Sequence, residues 1–461
     1  MTGRRRRPAS RAGGARDIAR RVLARVDKGA FASLALGGEL GRADLSPTDR
    51  RLATEIVYGV LRTRTRLDRA LSAHAKKGIK RLPPGVTSAL RIGAYQILFL
   101  DRVPAHAAVD DAVTATRRVA GARLAGVANG VLRGLSREGE PPLPDPKLEP
   151  RAYAEAACSL PSWIAGRLEE AVGRAELAEA AAALAESAPL CARENAVKAE
   201  PGAVRRALEA EGATAEPVPA CPRALAVRGL GDPESSPSFA AGLWTVQDAG
   251  AQLVSHLLAP REGARILDAC AGVGGKTTHL AELAGCRVTV DAADSSPVKL
   301  AHLEDTAARL GVAARVVPRR LELGAADADL GDGYDAILLD APCTGLGVMR
   351  RHPETKWRVS EAQVTAMAAV QDRLLRDVAG RLASGGVLVY SVCTFTREEG
   401  PERIAALLRD RPDFTLEAPP ARPGGPDWSA LLAADGSLKT WPHRHGADAF
   451  YAARLRRRGE T

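Results

Sequence analysis

Apolar residues in the first third of the chain recur at helical spacing. Ile18, Val22, Leu23 and Val26 share one face, and Leu52, Ile56, Val57, Val60 and Leu61 another. Ser46-Pro47-Thr48-Asp49 supplies a cap and a first turn ahead of 51–61. The period continues through 90–100, 107–119 and 124–132, with Pro104 as a break. It predicts an all-α bundle over 15–138, preceded by a basic tail at 1–14 with Arg4, Arg5, Arg6 and Arg7. Pro141, Pro142, Pro144, Pro146 and Pro150 then predict a semi-rigid linker over 139–150. Residues 151–236 read as a small α+β unit, with helices at 162–171, 177–186 and 203–211 and short strands at 195–198 and 224–227.

Past Phe239 the pattern changes to alternating strand and helix. Strands are expected at 265–268, 286–290, 315–317, 336–340 and 386–390, with helices from Lys276, through Leu310 and over 361–383. A closing strand is expected at 450–455. Repeated βα units predict an α/β, doubly wound, mostly parallel sheet over 237–461. Ala336-Ile337-Leu338-Leu339 is an unbroken apolar run, as in a strand covered on both faces. Asp340 ends it, and Pro342 cannot continue a ladder. Cys343 therefore follows the carboxyl end of one central strand, and Cys393 follows that of another. Open α/β sheets bind their ligands at that edge.

Composition narrows the field. Hydrophobic content of 46% supports packed cores, and a net charge of +10 favours a polyanionic partner, nucleic acid first. The cysteine count is seven, with no CxxC, which argues against a disulfide framework or a zinc site and fits reduced thiols in a cytoplasmic protein. The first 25 residues lack a signal-peptide apolar run, and no segment is long enough to span a membrane. No metal and no membrane association are expected.

The stretch Asp268-Ala269-Cys270-Ala271-Gly272-Val273-Gly274-Gly275-Lys276 follows a strand and opens a helix, so its backbone can approach a ligand closely. Cys270 stands where a phosphate loop needs its first glycine, and Thr277 where a dinucleotide fingerprint needs its third. S-adenosylmethionine needs only the close approach. Asp294, about twenty residues on, can accept ribose hydroxyls. The turn alone leaves the cofactor open; together with two thiols it points to methyl transfer.

These residues resemble a known family. CAGVGGKTTHL, DAPCTGLGVMRRHPETKW, YSVCTFTREE, VQDAGAQL and DAFYAARL resemble the motifs of RNA cytosine-5 methyltransferases. YGVLR, LRIGAYQILFL, PAHAAVDDAV and NGVLR resemble the NusB-like RNA-binding domain. The pairing is typical of bacterial 16S ribosomal-RNA cytosine-5 methyltransferases of the Sun/RsmB type. The resemblance implies a multidomain chain: an all-α NusB-like bundle, the small α+β middle unit and a Rossmann-like class I methyltransferase domain. It implies Cys393 as nucleophile, Asp340 on the cytosine N3/N4 edge and Cys343 in removal of the C5 proton. S-adenosylmethionine is expected on Cys270, Ala271, Gly272, Val273, Gly274, Gly275, Lys276, Asp294 and Asp340. Lys276 is expected to favour the thiolate or the cofactor carboxylate. Arg350, Arg351 and Lys356 are expected to contact RNA phosphates, in a monomer. Gly272-Val273 replaces the family's usual Ala-Pro, Val392 its Thr, and Arg320 an adenine-contacting Asp. Another RNA substrate, and a non-catalytic RNA-binding assembly factor, are the alternatives.

Overall fold

The computed structural model describes residues 14–75, 78–323 and 330–459. The basic run at 4–7 and the pair Lys76-Lys77 lie outside the described residues. The chain divides into two compact units, one up to Glu186 plus His352–Arg358, the other Ser187–Arg351 plus Val359–Thr461.

The first unit is helical. Its helices include Ala15–Val26, Ala32–Arg42, Pro47–Arg62, Arg64–Ala73, Pro84–Phe99 and Ala105–Glu138. The Ser46 hydroxyl accepts a hydrogen bond from the Asp49 N–H at 3.1 Å and Pro47 opens the helix, as the sequence signal requires. Ile18, Val22, Ile56, Val57 and Val60, from the two predicted stripes, are buried together in one core. Helix Ala105–Glu138 is kinked at Gly121, where φ is 79°, which accounts for the two shorter helices read from sequence. The proline-rich stretch is no free linker. Arg69 Nη1 donates to the Pro141 carbonyl at 3.0 Å, and Arg66 Nη2 pairs with Glu140 at 2.5 Å, so it lies along the helices. Helices Pro150–Ala156, Ser162–Val172 and Leu177–Ala185 belong to this unit as well. The segment expected as a small α+β unit over 151–236 thus gives its first helices to this unit and its strands to the second.

The second unit carries two sheets. Strands β1 (Leu190–Glu194), β2 (Thr214–Pro217), β3 (Ala224–Arg228) and β4 (Trp244–Val246) form an antiparallel sheet in the order β2-β3-β1-β4. The strand expected at 195–198 is a turn instead. Asn195 accepts from the Val197 N–H at 2.9 Å and donates to the carbonyls of Gly242 and Leu310, and that local bonding competes with a ladder.

The larger sheet contains β5 (Arg265–Asp268), β6 (Thr289–Asp294), β7 (Val316–Arg320), β8 (Tyr334–Asp340), β9 (Leu382–Val392), β10 (Phe414–Leu416), β11 (Leu438–Thr440) and β12 (Phe450–Arg457). Among the described residues its order is β10-β12-β9-β8-β5-β6-β7, with β11 on β12. Neighbours from β7 to β9 are parallel, and β12 joins antiparallel. β6 starts later than expected because Cys286, at φ 58°, sits in a tight turn. Both faces of the parallel strands are covered: Ile337, Leu339, Leu388 and Tyr390 enter one core, and Ile266, Leu338, Val387 and Val389 the other. Successive strands run outward from β5 on one side and from β8 on the other, so β5/β8 is the switch point where such sheets hold ligands. Among the described residues no helix is long and apolar enough to cross a membrane.

Candidate active site

The glycine-rich turn leaves β5 at Asp268 and enters helix Gly275–Leu283. Gly274 has φ 85°, and a Cβ there would stand 2.6 Å from Leu303 Cγ, so conformation and packing both demand glycine. Gly272 is also left-handed, at φ 56°, but no atom lies within 4 Å of where its Cβ would be. That open side is a cradle a ligand can enter. The Gly272 N–H donates to Asp294 Oδ2 at 3.1 Å, and the Ser296 N–H to Asp294 Oδ1 at 2.9 Å. Asp294, ending β6, therefore borders the turn as expected, with Lys299 Nζ 3.3 Å away on its solvent side. Arg320 lies opposite Asp294 in the β6–β7 register and is exposed, as is Glu322.

Asp268 is a participant the sequence reading passed over. It is buried, Thr277 Oγ1 donates to its Oδ2 at 2.6 Å, and Oδ1 has no partner. Burial pushes its carboxyl up to about 6, against the smaller effects of Thr277 and Lys276. The folded protein then keeps this proton between about pH 4 and 6 while the unfolded chain releases it, so the group costs stability as pH rises through that window. Asp268→Asn is expected to raise stability at pH 8 by up to about 2–3 kcal/mol and to change little near pH 4. Denaturant unfolding at both pH values measures the difference.

Parallel pairing of β8 with β9 sets Asp340 opposite Ser391. The loops that follow then carry Cys343 and Cys393 together, with their sulfurs 3.3 Å apart and both thiols half-buried. Asp340 is held on both oxygens: Ser391 Oγ donates to Oδ1 at 2.7 Å and Lys276 Nζ to Oδ2 at 2.6 Å. Burial disfavours the Lys276 charge, but Asp340 outweighs it and the pKa rises, so this lysine stays an ammonium. The hydrogen bond to Cys393, and then burial, push the Cys343 thiol well up. Either sulfur can be the donor in that contact.

A buried carboxylate, absent from the sequence reading, ties the two loops to each other. Glu399 accepts from Thr344 N–H at 2.8 Å, Thr344 Oγ1 at 2.6 Å, Thr396 Oγ1 at 2.8 Å and Gln371 Nε2 at 3.2 Å. The Gly347 N–H donates to the Cys393 carbonyl at 3.0 Å. A Cβ on Gly347 would meet the Ala449 carbonyl oxygen at 1.9 Å, so the loop can close only on glycine. The YSVCTFTREE resemblance contains Glu399 but gave no sign of its clamp.

Of the three cations expected at RNA phosphates, Arg350 and Lys356 are buried and Arg351 is partly buried. Arg351 donates to Asp448 Oδ2 at 2.7 Å, Asp248 Oδ2 at 2.8 Å and the Pro189 carbonyl at 3.0 Å. Arg350 is buried, 3.9 Å from Asp448. Lys356 belongs to the helical unit, where burial draws its pKa down to about 7 and its Nζ donates to the Arg62 carbonyl at 2.7 Å. Of the turn residues, Cys270 is partly buried with its thiol pushed up to about 12 by burial, Ala271 is buried with its N–H bonded to Ala293, and Val273 is 55% exposed.

Comparison with known proteins agrees with this architecture. Residues 255–456 match a family model described as 16S rRNA methyltransferase RsmB/F, residues 14–137 the NusB family, and residues 160–232 an RsmF/B-like ferredoxin-like domain. The chain is 33% identical to the probable ribosomal RNA small subunit methyltransferase B of Synechocystis, over 96% of this chain and 99% of that one. It is 32% identical to the ribosomal RNA small subunit methyltransferase B of Citrobacter koseri, over 85% of this chain and 90% of that one. Among solved structures it is similar to PH0851, with a TM-score of 0.77 at 25% identity, covering 95% of this chain and 98% of that one.

Proposed function

The chain belongs to the RsmB/F family of 16S rRNA methyltransferases, and on that footing we propose that it methylates C5 of a cytosine in 16S ribosomal RNA through a covalent Cys393 adduct. The reading is carried by one observation: two thiols 3.3 Å apart beside Asp340, at the sheet edge that also holds the glycine-rich turn.

Ring carbon C5 of cytosine is a poor nucleophile. The Cys393 thiolate adds to C6, forming the Sγ–C6 bond and moving the ring electron pair towards C5. Cys343, as the protonated neighbour, stabilises the thiolate before attack. Asp340, aimed by Lys276 and Ser391, hydrogen-bonds the N3/N4 edge and steadies the charge that reaches the ring. S-adenosylmethionine, when bound, supplies the methyl group as a sulfonium electrophile. Residues 270–276 and Asp294 would hold it, since the side of Gly272 is open and Asp294 borders the turn. Once C5 carries the methyl, its proton must leave so that the ring double bond re-forms and Cys393 departs. Cys343 assists there. With its own S–H proton first lost to solvent, the Cys343 thiolate takes the C5 proton, the C5–H electron pair re-forms the C5–C6 double bond, and the Sγ–C6 bond breaks to release the Cys393 thiolate. The target cytosine must be unpaired or turned out of its stack to reach this edge. Every group invoked comes from one chain, so a monomer suffices. The helical unit, NusB-like by its family match, is the proposed RNA-binding part, with salt-sensitive affinity.

One observation favours the non-catalytic reading: Arg320 stands exposed beside Asp294. Calorimetry with S-adenosylmethionine decides between the two. Binding is expected in the intact protein, with at least a tenfold loss in Asp294→Ala; no heat from the wild type would favour the assembly factor, and unchanged affinity in the variant would remove Asp294 from the site. Bisulfite sequencing of 16S ribosomal RNA from a strain lacking the protein is expected to show one cytosine that has lost its protection. An unchanged 16S pattern would point to another RNA.

A further inference from the structure

Strand β1 lies between β3 and β4 in the small antiparallel sheet, with Arg193 opposite Ala224 on one side and Thr245 on the other. The Arg193 side chain is 1% exposed and reaches out of that sheet to a different element. Its Nη1 donates to the Gly275 carbonyl at 2.6 Å and to Gln247 Oε1 at 2.6 Å. Its Nη2 donates to Thr278 Oγ1 at 3.0 Å and to Glu282 Oε1 at 2.6 Å. Gly275, Thr278 and Glu282 recur at helical spacing, so the guanidinium lies along one face of helix Gly275–Leu283, the helix that opens from the glycine-rich turn. Every residue in this set belongs to the second unit.

These contacts set the direction of two peptide planes. Thr278 Oγ1 accepts from Arg193 and donates to the Gly274 carbonyl at 2.8 Å. Arg193 thus holds the Gly274 carbonyl through one hydroxyl and the Gly275 carbonyl directly. In a planar trans peptide the N–H points opposite to the C=O. Holding these two carbonyls therefore turns the N–H groups of Gly275 and Lys276 away from Arg193. They are among the first N–H groups of the helix, which meet no carbonyl of their own helix and suit an anionic group on a ligand. Lys276 also carries the ammonium that aims Asp340, 2.6 Å away. A buried ion pair such as Arg193–Glu282 adds little stability over an apolar pair of the same size, so what it contributes is direction.

We propose that Arg193 is a positioning residue for the cofactor turn, through which the small sheet fixes the Gly274 and Gly275 peptides and so the two N–H groups offered to S-adenosylmethionine. The proposal rests on the methyltransferase reading for the identity of the ligand but not for the hold on the turn.

The test uses the full chain with Arg193→Met and Glu282→Gln combined, which leaves no buried charge without its partner. Arg193→Lys is the second variant; it keeps a charge for Glu282 but has no fork to span the helix face. Asn195→Ala is the control. Asn195 stands on the same segment but donates to the Gly242 and Leu310 carbonyls, and Leu310 ends helix Pro297–Leu310 at the end remote from Asp294. By calorimetry the affinity for S-adenosylmethionine is expected to fall about tenfold in the double variant, the scale of one lost hydrogen bond, and several-fold in Arg193→Lys. Without ligand, amide hydrogen exchange over 272–279 should quicken in both. Asn195→Ala should lower stability and leave affinity and that exchange at wild-type values. Should the double variant fail to fold, Arg193→Lys carries the test. Wild-type affinity in a folded Arg193 variant overturns the proposal, and so does lost affinity without quicker exchange. An equal loss of affinity in Asn195→Ala would make the effect one of general packing and overturns it too. If the wild type binds no S-adenosylmethionine, the functional reading fails, while the exchange measurements still decide whether Arg193 holds the turn.

Discussion

Cys343→Ala will yield a protein that accumulates as a covalent complex with methylated RNA, whereas Cys393→Ala will yield neither adduct nor product. The two sulfurs are 3.3 Å apart, so both reach the same base, and order of action must separate them. In the proposed mechanism Cys393 acts before methyl transfer and Cys343 after it. Without Cys393 no Sγ–C6 bond forms, C5 stays unactivated, and the rate should drop to background, a loss of several orders of magnitude. Without Cys343 attack and transfer still proceed, slowed by loss of the S–H that steadies the thiolate, but the C5 proton has no efficient acceptor. The adduct should survive denaturing electrophoresis, shift on ribonuclease treatment and contain label from methyl-labelled cofactor. A trap in Cys393→Ala would mean that the roles are exchanged, and two variants with modest losses and no adduct would make both cysteines packing residues.

Asp340→Asn should lower single-turnover methyl transfer by about 10²–10⁴-fold, the range for a positioned hydrogen-bonding acid or base. Its carboxylate is gripped at 2.7 Å by Ser391 and at 2.6 Å by Lys276. An amide in its place keeps the size but not the charge, and it strands the Lys276 ammonium in a nearly closed setting. The pair is only partly buried, so removing one partner should also lower stability, by less than the loss of a fully buried pair. Lys276→Met alone should also slow the reaction, because Asp340 loses its aim. The double variant separates the effects: if both residues act through the same carboxylate, the combined loss will be far smaller than the product of the two. Independent, multiplicative losses would show that Lys276 serves the site by another route.

Much of the fold is legible in local pattern. The period of the apolar positions marks the bundle helices, and the Ser46-Pro47 signal marks one helix start. The unbroken run 336–339 implies a strand buried on both faces, and the structure places it beside β5 and β9 in mid-sheet. The errors have local causes too. Asn195 bonds its own turn and ends a strand early, Cys286 adopts positive φ and starts another late, and prolines read as a linker are instead fastened to Arg66 and Arg69.

Sequence by itself determined which residues stand at strand ends: Asp268 and the turn after β5, Asp294 after β6, Asp340 and Cys343 after β8, Cys393 after β9. Tertiary structure decided which of them meet. Strand register set Asp340 against Ser391 and so closed fifty residues of chain between the two sulfurs. Long-range packing likewise chose Glu399 as the clamp between the cysteine loops, turned Arg350 and Arg351 inward onto Asp448, and placed Lys356 in the helical unit, 294 residues from its Arg62 partner. Periodicity reports only neighbours within a turn or a pleat. Whether a charge faces RNA or a buried carboxylate depends on groups far away in the chain, because burial and pairing arise only when distant elements pack.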